Sequence, residues 1–339
     1  MPTVSVIVPC YNEEATIGFL LEALYQQTFP KEDMEVIIAD GISSDHTRDK
    51  VVEFLNAYPK LKVIMVDNPK RIIPAALNCA ITAAQGLFIV RLDAHSMPSP
   101  DYVERCVNEL AAGRAENVGG IWKIEPGKDH WMAKSISLAA SHPLGVGDAL
   151  YRYTREAQYV DTVPFGSFRR ALFDQIGLFD ETLLTNEDYE FNTRIRKSGG
   201  KIWLDPKIQS VYFSRSTLRD LGRQYFRYGY WKWHMLRRYP DTLRWRQALP
   251  PAFVLGTMGL LLLAPVFQSS LILLGIVLLV YLSILVIASW AIANRERDFR
   301  LLAGIPMAIV TMHYSWGAGF LWGMIKFLFQ DAILSRHES

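Results

Sequence analysis

The sequence predicts an α/β fold, a mostly parallel sheet sandwiched by helices, followed by C-terminal transmembrane helices. Runs rich in Val and Ile alternate with helical stretches in the N-terminal part, and the connections between them are short. Near-continuous apolar runs are typical of strands buried on both faces, and strands joined by helical crossovers form parallel sheets. Long stretches without a charged residue, near the end of the chain, predict the transmembrane helices.

The expected order of elements starts with four strands, each followed by a helix. The strands are expected at residues 4–8, 35–40, 62–66 and 88–92. The helices after them are expected to end near residues 27, 56, 84 and 112. Later strands are expected at 118–122, 201–204 and 208–213, with helices ending near 176 and 197 and a loop over 127–159. No Gly-x-Gly-x-x-Gly follows the first strand, which argues against a dinucleotide-binding unit.

Composition places the N-terminal part in a reducing compartment. The net charge of +2 excludes little, but Cys10, Cys79 and Cys106 are scattered and form no Cys-x-x-Cys. Such cysteines act as small core residues. The first residues have no basic region and no long apolar run of a signal peptide, so this part of the chain is expected in the cytoplasm.

The fourth strand ends on a carboxylate and an imidazole, Asp93 and His95. On an extended segment these two side chains point to the same side, just beyond the sheet edge where α/β folds bind ligands. One oxygen and one nitrogen ligand suit a divalent ion such as Mn²⁺ or Mg²⁺, with diphosphate oxygens and water completing its shell. The alternative is a loop Asp that caps the next turn beside an ordinary surface His.

A second carboxylate, Asp40, stands at the end of the second strand. Either acid alone could be a simple helix cap. Together with Asp93 on one edge of one sheet it suits a nucleotide, with one acid toward the base or ribose and the other toward metal and phosphate.

Three segments resemble the family 2 glycosyltransferases, which have the GT-A fold. They read Val-Ile-Val-Pro-Cys-Tyr-Asn-Glu-Glu over 6–14, Ala-Asp-Gly-Ile-Ser-Ser-Asp-His-Thr over 39–47 and Asp-Ala-His over 93–95. The resemblance is greatest to the membrane-anchored, succinoglycan-type ExoA-like branch, where Asp-Ala-His stands in for the usual Asp-x-Asp. It covers residues 1–230, which are therefore expected to form a GT-A domain.

The resemblance implies specific contacts. The implied nucleotide contacts are Pro9, Tyr11, Glu13 and Asp40. Asp93 and His95 would contact the divalent metal or the diphosphate, and the departure from Asp-x-Asp leaves open which of them is the direct ligand. Residues 224–229 look like the counterpart of the family's Gln/Arg-rich loop over the diphosphate, with Arg227 as the phosphate contact.

Glu187 and Asp188 begin a helix and match the family's Glu-Asp motif. Acids in a first helical turn ordinarily complement the helix dipole and do nothing more. In the family the Asp is the candidate base, and a carboxylate within hydrogen-bond reach can deprotonate a sugar hydroxyl. By this resemblance Asp188 is the expected base, with Glu187 helping to place it.

Hydropathy predicts a membrane domain over 249–326. Three stretches without Asp, Glu, Lys or Arg are near or above the ~20 residues that cross a bilayer; they are residues 249–267, 269–293 and 301–325. A basic, aromatic-rich segment at 215–248 precedes them, and it fits a membrane interface better than nucleic acid. Arginines before the first stretch and between the last two predict that these loops and the large domain are cytoplasmic.

The expected protein is a multi-pass enzyme of the plasma or inner membrane. It would be a metal-dependent inverting glycosyltransferase that moves sugar from a nucleotide-sugar, expected to be UDP-linked, to a lipid-linked saccharide in exopolysaccharide or cell-surface glycan synthesis. One alternative is transfer to polyprenyl phosphate, which makes a lipid-linked sugar donor. A second is a non-catalytic scaffold that binds nucleotide-sugar, although a scaffold has no need of a base such as Asp188.

Overall fold

The computed structural model describes residues 2–334 and divides the chain into two compact units. One unit contains residues up to 123 and 150–212, and the other contains 124–149 and the residues from 213 onward. Residues 127–159, expected as a loop, contain two helices, α5 (Trp131–Ala140) and α6 (Pro143–Val146), which belong to the second unit.

The first unit begins with four parallel strands. In chain order they and their helices are β1 (Val4–Cys10), α1 (Ile17–Tyr25), β2 (Met34–Asp40), α2 (Thr47–Ala57), β3 (Lys62–Asp67), α3 (Ile73–Ala83) and β4 (Phe88–Arg91). They pair in the order β3-β2-β1-β4. The register places Cys10 opposite Asp40 and Asp40 opposite Asp67, so two carboxylates lie side by side at one edge.

The remaining strands extend the sheet with antiparallel pairs. They and the helices of this part are β5 (Met97–Pro98), α4 (Tyr102–Ala111), β6 (Asn117–Pro126), β7 (Gln158–Tyr159), β8 (Ser167–Arg169), α7 (Ala171–Ile176), α8 (Glu187–Lys197) and β9 (Ile202–Ser214). β8 pairs antiparallel with β4 and with β6, while β5 and β7 both pair antiparallel with β9. The α/β prediction is confirmed, and the sheet is mixed with a parallel half.

One long strand replaces two predicted short ones. Residues 201–204 and 208–213, expected as separate strands, form the single strand β9, which includes Asp205 and Pro206. In the structure Asp205 Oδ1 accepts the backbone N–H of Lys207 at 2.9 Å, and the strand continues through Pro206. A side chain thus takes a backbone donor that the sheet leaves unpaired at the proline.

β1, β2 and β4 are buried on both faces, as strands of this composition require. Val4, Val6 and Val8 of β1 pack in a core with α1, whereas Ile7 points to the opposite core, which contains Phe191 of α8. Side chains along β1 therefore point alternately into two separate cores. Because both faces are buried, each strand is fixed in position along its axis relative to its neighbours. The polar residues at the strand ends are therefore fixed in position as well.

The second unit contains the long helices α9 (Leu218–Arg238), α10 (Trp245–Leu263), α11 (Ser269–Glu296) and α12 (Leu301–Leu334). α9 and α12 approach closely at small residues. A Cβ on Gly229 would lie 2.0 Å from the Trp316 carbonyl oxygen, and one on Gly319 would lie 2.1 Å from the Phe226 carbonyl oxygen. Neither position has room for a side chain, so glycine is required where these helices touch.

Two helices of the described chain, α10 and α11, are long and apolar enough to cross a membrane. The third predicted stretch, 301–325, forms most of α12, which does not belong to this set. Leu301, Ile305 and Ile309 of α12 are instead buried in the core of the second unit. Hydropathy alone cannot separate an apolar helix that faces lipid from one that packs against protein.

Candidate active site

Asp40 lies at the end of β2 and is completely buried. Its Oδ1 accepts the Ser43 hydroxyl at 2.5 Å, and its Oδ2 accepts the backbone N–H of Ser43 at 3.0 Å. Arg48 of α2 donates from Nε to Asp40 Oδ2 at 2.5 Å and from Nη2 to Asp67 Oδ1 at 2.5 Å. One guanidinium thus ties together the carboxylates that end β2 and β3.

The loops that follow β1 and β2 are hydrogen-bonded to each other. The N–H of Asn12 donates to Ser43 Oγ at 2.8 Å, and Asn12 Oδ1 accepts the N–H of Ser44 at 2.9 Å. The N–H of Glu13 donates to Thr47 Oγ1 at 2.7 Å. These bonds hold the 11–14 segment beside the 43–47 segment.

Backbone strain is concentrated at the same two loops. Ile42 has φ 59° and Asn12 has φ 54°, both in the left-handed region. A β-branched residue there costs about 1–3 kcal/mol, a cost that the surrounding contacts must offset. At Gly41 a Cβ would lie 2.8 Å from the ring of Tyr11, so glycine allows that ring to lie against the backbone.

Tyr11 presents an exposed ring, whereas Pro9 is buried within β1 opposite Ala39. The guanidinium of Arg71 lies 5.7 Å from the centroid of the Tyr11 ring, within cation–π range. Arg71 also has positive φ, at 55°. Tyr11 is therefore available for stacking, while Pro9 shapes the end of its strand.

His95 and Glu13 connect the fourth strand's end to the first loop. His95 Nδ1 lies 3.1 Å from Glu13 Oε1, and Thr16 Oγ1 donates to Glu13 Oε2 at 2.5 Å. Burial opposes ionisation of Glu13, but these bonds hold its pKa below the ordinary value. A carboxylate at Nδ1 favours the tautomer of His95 that is protonated there, in which Nε2 carries the lone pair.

A buried arginine joins Asp93 to the start of α8. Arg91 Nε lies 3.1 Å from Asp93 Oδ1, and Arg91 Nη2 lies 3.0 Å from Glu187 Oε1. The side chains of Arg91 and Glu187 are only 7% and 8% exposed, so this charge pair is almost fully removed from water. The other Asp93 oxygen, Oδ2, accepts no hydrogen bond from the part of the chain that the structure describes.

Burial and like charges raise the pKa of both acids at the start of α8. For Glu187, burial and the nearby Asp188 and Asp93 raise the pKa to about 7, against the opposing effect of Arg91. For Asp188, burial and Asp93 raise the pKa, again opposed by Arg91. A carboxylate with a raised pKa is a stronger proton acceptor than an ordinary aspartate, as general-base chemistry requires.

The position of α8 is fixed from both ends. Asn186 precedes it with φ 69°, a conformation that Asn tolerates, and basic residues occupy its last turn. The preceding loop is attached to α3, where Asn78 Nδ2 donates to the Phe179 carbonyl at 3.0 Å and Asn78 Oδ1 accepts the Phe179 N–H at 2.9 Å. These bonds hold the start of α8 near the sheet edge.

The structure places most of the predicted site residues in three sets of contacts. Glu13 contacts His95. Arg91 contacts both Asp93 and Glu187, the residue next to Asp188. Asp40 and Tyr11 contact the 41–43 segment. Arg227 belongs to the second unit, where it is exposed on α9, and its segment is helical and not a loop. Its role as a phosphate contact stays a prediction.

Sequence reasoning missed Arg48 and Arg91. A signal existed for Arg91, a single charge inside the otherwise apolar run Phe88-Ile89-Val90-Arg91-Leu92. A charge in a strand that is buried on both faces needs a partner in the core. Nothing comparable singles out Arg48, which is one of several charges on α2.

Comparison with known proteins places this geometry in a family. A model of "Glycosyl transferase family 2" matches residues 5–177. Succinoglycan biosynthesis protein ExoA of Rhizobium meliloti (strain 1021) is 30% identical over 324 residues, which is 95% of either chain. The dolichyl N-acetyl-alpha-D-glucosaminyl phosphate 3-beta-D-2,3-diacetamido-2,3-dideoxy-beta-D-glucuronosyltransferase of Methanococcus voltae is 28% identical over 332 residues, 96% of this chain and 98% of that protein.

A solved structure shares the fold. The mannosyltransferase PcManGT from Pyrobaculum calidifontis, in complex with GDP-Man and Mn²⁺, superposes with a TM-score of 0.67 at 19% identity, over 95% of this chain and 87% of that one. The α/β architecture is therefore the GT-A fold of glycosyltransferases. The chain belongs to glycosyl transferase family 2, which confirms the resemblance seen in its motifs.

Arg48 generates a prediction about nucleotide affinity. In Arg48→Met, the buried Asp40 carboxylate loses its cation, and we expect UDP or GDP to bind at least about tenfold more weakly, since an unpaired buried charge is unfavourable by several kcal/mol. Calorimetric titration of folded protein measures this. Arg105→Met is the matched control, because Arg105 pairs with Asp101 on α4 at similar exposure. Equal affinity in both variants would contradict the role of Arg48.

Proposed function

We propose that this chain transfers a sugar, with inversion, from a nucleoside-diphosphate sugar to a saccharide carried on a lipid. The observation that carries the proposal is the group of carboxylates at one sheet edge, with Asp40 and Asp93 on strand ends and Asp188 at the start of α8. Family membership supports the transferase. The names of the Methanococcus voltae and Rhizobium meliloti relatives support a lipid-linked or exopolysaccharide substrate.

The proposed reaction is a single in-line displacement. Asp188, whose pKa burial raises, takes the proton of the acceptor hydroxyl as that oxygen attacks the anomeric carbon. Asp40 and the Tyr11 ring hold the nucleotide, and an in-line displacement requires the acceptor oxygen to attack from the side opposite the departing diphosphate. We infer a UDP-linked donor from the motifs, while GDP-Man in PcManGT makes GDP-sugars the necessary comparison.

The residues at the end of β4 fit a divalent cation such as Mn²⁺ or Mg²⁺. Asp93 offers an oxygen with no hydrogen-bond partner in the described chain, and His95 offers a nitrogen whose tautomer Glu13 sets. Such cations bind through one or two protein ligands plus substrate phosphates and water. When bound, the cation would neutralise charge on the departing diphosphate.

The apolar surface of α10 and α11 supports a place in a membrane. Large side chains such as Leu262, Ile272 and Ile287 are at least two-thirds exposed. Exposed apolar surface on this scale is unfavourable in water and marks a membrane or protein contact. We infer that both helices cross the plasma or inner membrane, with the catalytic domain in the cytoplasm.

The acceptor is tested directly by product analysis. Membranes containing the protein are incubated with UDP- or GDP-sugars, and lipid-linked glycans are then analysed by mass spectrometry. A saccharide lengthened by one residue, with inverted anomeric configuration by NMR, is the expected result. Sugar attached directly to polyprenyl phosphate would favour the alternative donor-lipid synthase, for which the basic aromatic helix α9 would suit a lipid phosphate. Donor binding without any product would favour the scaffold.

The Asp188→Asn variant tests the base. The amide keeps the shape but cannot accept the proton, so turnover should fall by about 10²–10⁴-fold. Donor affinity should survive because its contacts lie at Asp40 and Asp93. Acceptor-dependent release of nucleoside diphosphate, measured beside donor calorimetry, separates the two effects. Asp174→Asn on α7 is the control for an acid in a first helical turn. Near wild-type transfer by Asp188→Asn would leave the mechanism without its base.

Metal removal tests the ion site. Excess EDTA should abolish transfer, and Mn²⁺ or Mg²⁺ should restore it. Asp93→Ala should bind Mn²⁺ in the presence of UDP at least about tenfold more weakly, because an ionised ligand is lost. Electron paramagnetic resonance of free Mn²⁺ reads this binding without any turnover. Full transfer in EDTA would refute the assignment.

A cysteine scan tests the topology. Residues 268–270 at the start of α11 carry no charge, whereas Arg295 is in the last turn of α11 and Arg297 and Arg300 lie between α11 and α12. Positive loops stay in the cytoplasm, so Ser269→Cys should react with an impermeant thiol reagent on intact cells. Phe299→Cys should react only after permeabilisation. Wild type reports the background from Cys79, and the reverse labelling pattern would contradict this orientation.

A further inference from the structure

We propose that Arg91 is a positioning residue. It holds Glu187 and Asp188, the two acids at the start of α8, at the distance from Asp93 that transfer requires. The proposal rests on the proposed function above, in which Asp93 serves the donor side and Asp188 accepts the acceptor proton. No contact of Arg91 with substrate is needed. Its role is to hold Asp93, on the donor side, and Asp188, on the acceptor side, at a fixed position relative to each other.

The geometry supports this role because Arg91 uses two different nitrogens for two different elements. Nε faces Asp93 at 3.1 Å, two residues along the same chain segment, while Nη2 faces Glu187 at 3.0 Å, a residue 96 positions away. The first contact is local, whereas the second joins the parallel half of the sheet to α8. A planar guanidinium has a fixed angle between these donors, so it also fixes the direction from one carboxylate to the other.

The surroundings leave Arg91 no freedom to adjust. It lies in β4 opposite Ile7 of β1, and its backbone N–H donates to the Gly166 carbonyl at 3.1 Å. Its side chain is 7% exposed. A guanidinium held this way presents its partner Glu187, and hence Asp188 beside it, at one position relative to the strand end.

Stability alone is a weaker explanation for this residue. A buried ion pair is often no more stabilising than apolar residues of the same volume, because both ions lose their hydration. Glu187 and Asp188 stand next to each other, and Asp93 adds a third negative charge, with one guanidinium among them. A fold selected only for stability gains nothing from collecting three carboxylates around one cation.

The key variant is Arg91→Lys, which keeps the positive charge but lacks the planar guanidinium with its separate N–H donors. A lysine retains the nearby Asp93 contact more easily than the distant Glu187 contact. We therefore expect kcat to fall about 10²-fold, the scale of a misplacement of about 1 Å. Because the Asp93 contact is retained, the donor KM should stay within about threefold of the wild-type value. The affinity for Mn²⁺ with UDP, measured by paramagnetic resonance, should also stay within about threefold, a free-energy change of less than about 0.7 kcal/mol.

Arg194→Lys is the matched structural control. Arg194 also makes a two-nitrogen ion pair, with Glu190, and it belongs to α8. It contacts no predicted site residue among its described partners, which are the carbonyls at 176–178, Glu190 and the Phe191 ring. Both variants can lower the melting temperature, but only Arg91→Lys should lower kcat per folded molecule. Equal kcat in the two variants would overturn the proposal.

A double variant gives an independent test, and it also serves if Arg91→Lys fails to fold. If Arg91 acts through Glu187, then Arg91→Lys/Glu187→Gln should turn over no more slowly than Glu187→Gln alone. A further loss of about 10²-fold in the double variant would mean that the two residues act separately, and would overturn the proposal.

The outcome of Asp188→Asn separates this proposal from the proposed function. If Asp188→Asn is inactive while Arg91→Lys keeps its kcat, the base assignment stands and the role of Arg91 is wrong. If Asp188→Asn transfers normally, the base assignment is wrong, and the role of Arg91 falls with it.

Discussion

The structure depends on holding several carboxylates together at one edge of a buried sheet. Two like charges about 4 Å apart repel by roughly 4 kcal/mol at an effective dielectric constant near 20. Two arginines offset this repulsion. Arg48 bridges the acids that end β2 and β3, and Arg91 bridges Asp93 and Glu187. At the start of α8, burial raises the pKa of Glu187 and Asp188 although Arg91 opposes the shift.

The rest of the first unit positions these charges. Parallel strands buried on both faces cannot slip without exposing apolar residues, so their ends stay level. The strained loop at Ile42 persists because Ser43 and Ser44 after it are hydrogen-bonded to Asn12, and Gly41 before it donates its N–H to the Cys10 carbonyl. The acid pair on α8 is brought in by contacts from Asn78 and Arg91. The residues proposed for nucleotide binding and for base chemistry are therefore positioned by the same strands and loops.

What the sequence could predict follows from the range of each interaction. Strands, their polar ends and the start of α8 are local features, and periodicity and helix-terminus preferences predicted them. The contact between Arg91 and Glu187 joins residues 96 positions apart, and no local pattern encodes such a pairing. The bridging role of Arg48 could not be predicted, because its second partner, Asp67, belongs to no recognisable motif. The family resemblance supplied the roles of Asp93 and Asp188, which residue patterns alone left open.

The apolar stretch 301–325 raises the same question of what a local pattern can predict. Apolar residues enter a helix for two different reasons, to face lipid or to face protein, and the mean hydropathy of a stretch does not distinguish them. Glycines do, because a residue such as Gly319 lies against the Phe226 backbone, where only helix–helix contact gives a reason to omit the side chain. α11 shows the opposite pattern, with large apolar side chains turned outward. The spacing of small residues, read beside hydropathy, therefore separates the two kinds of apolar helix in this chain.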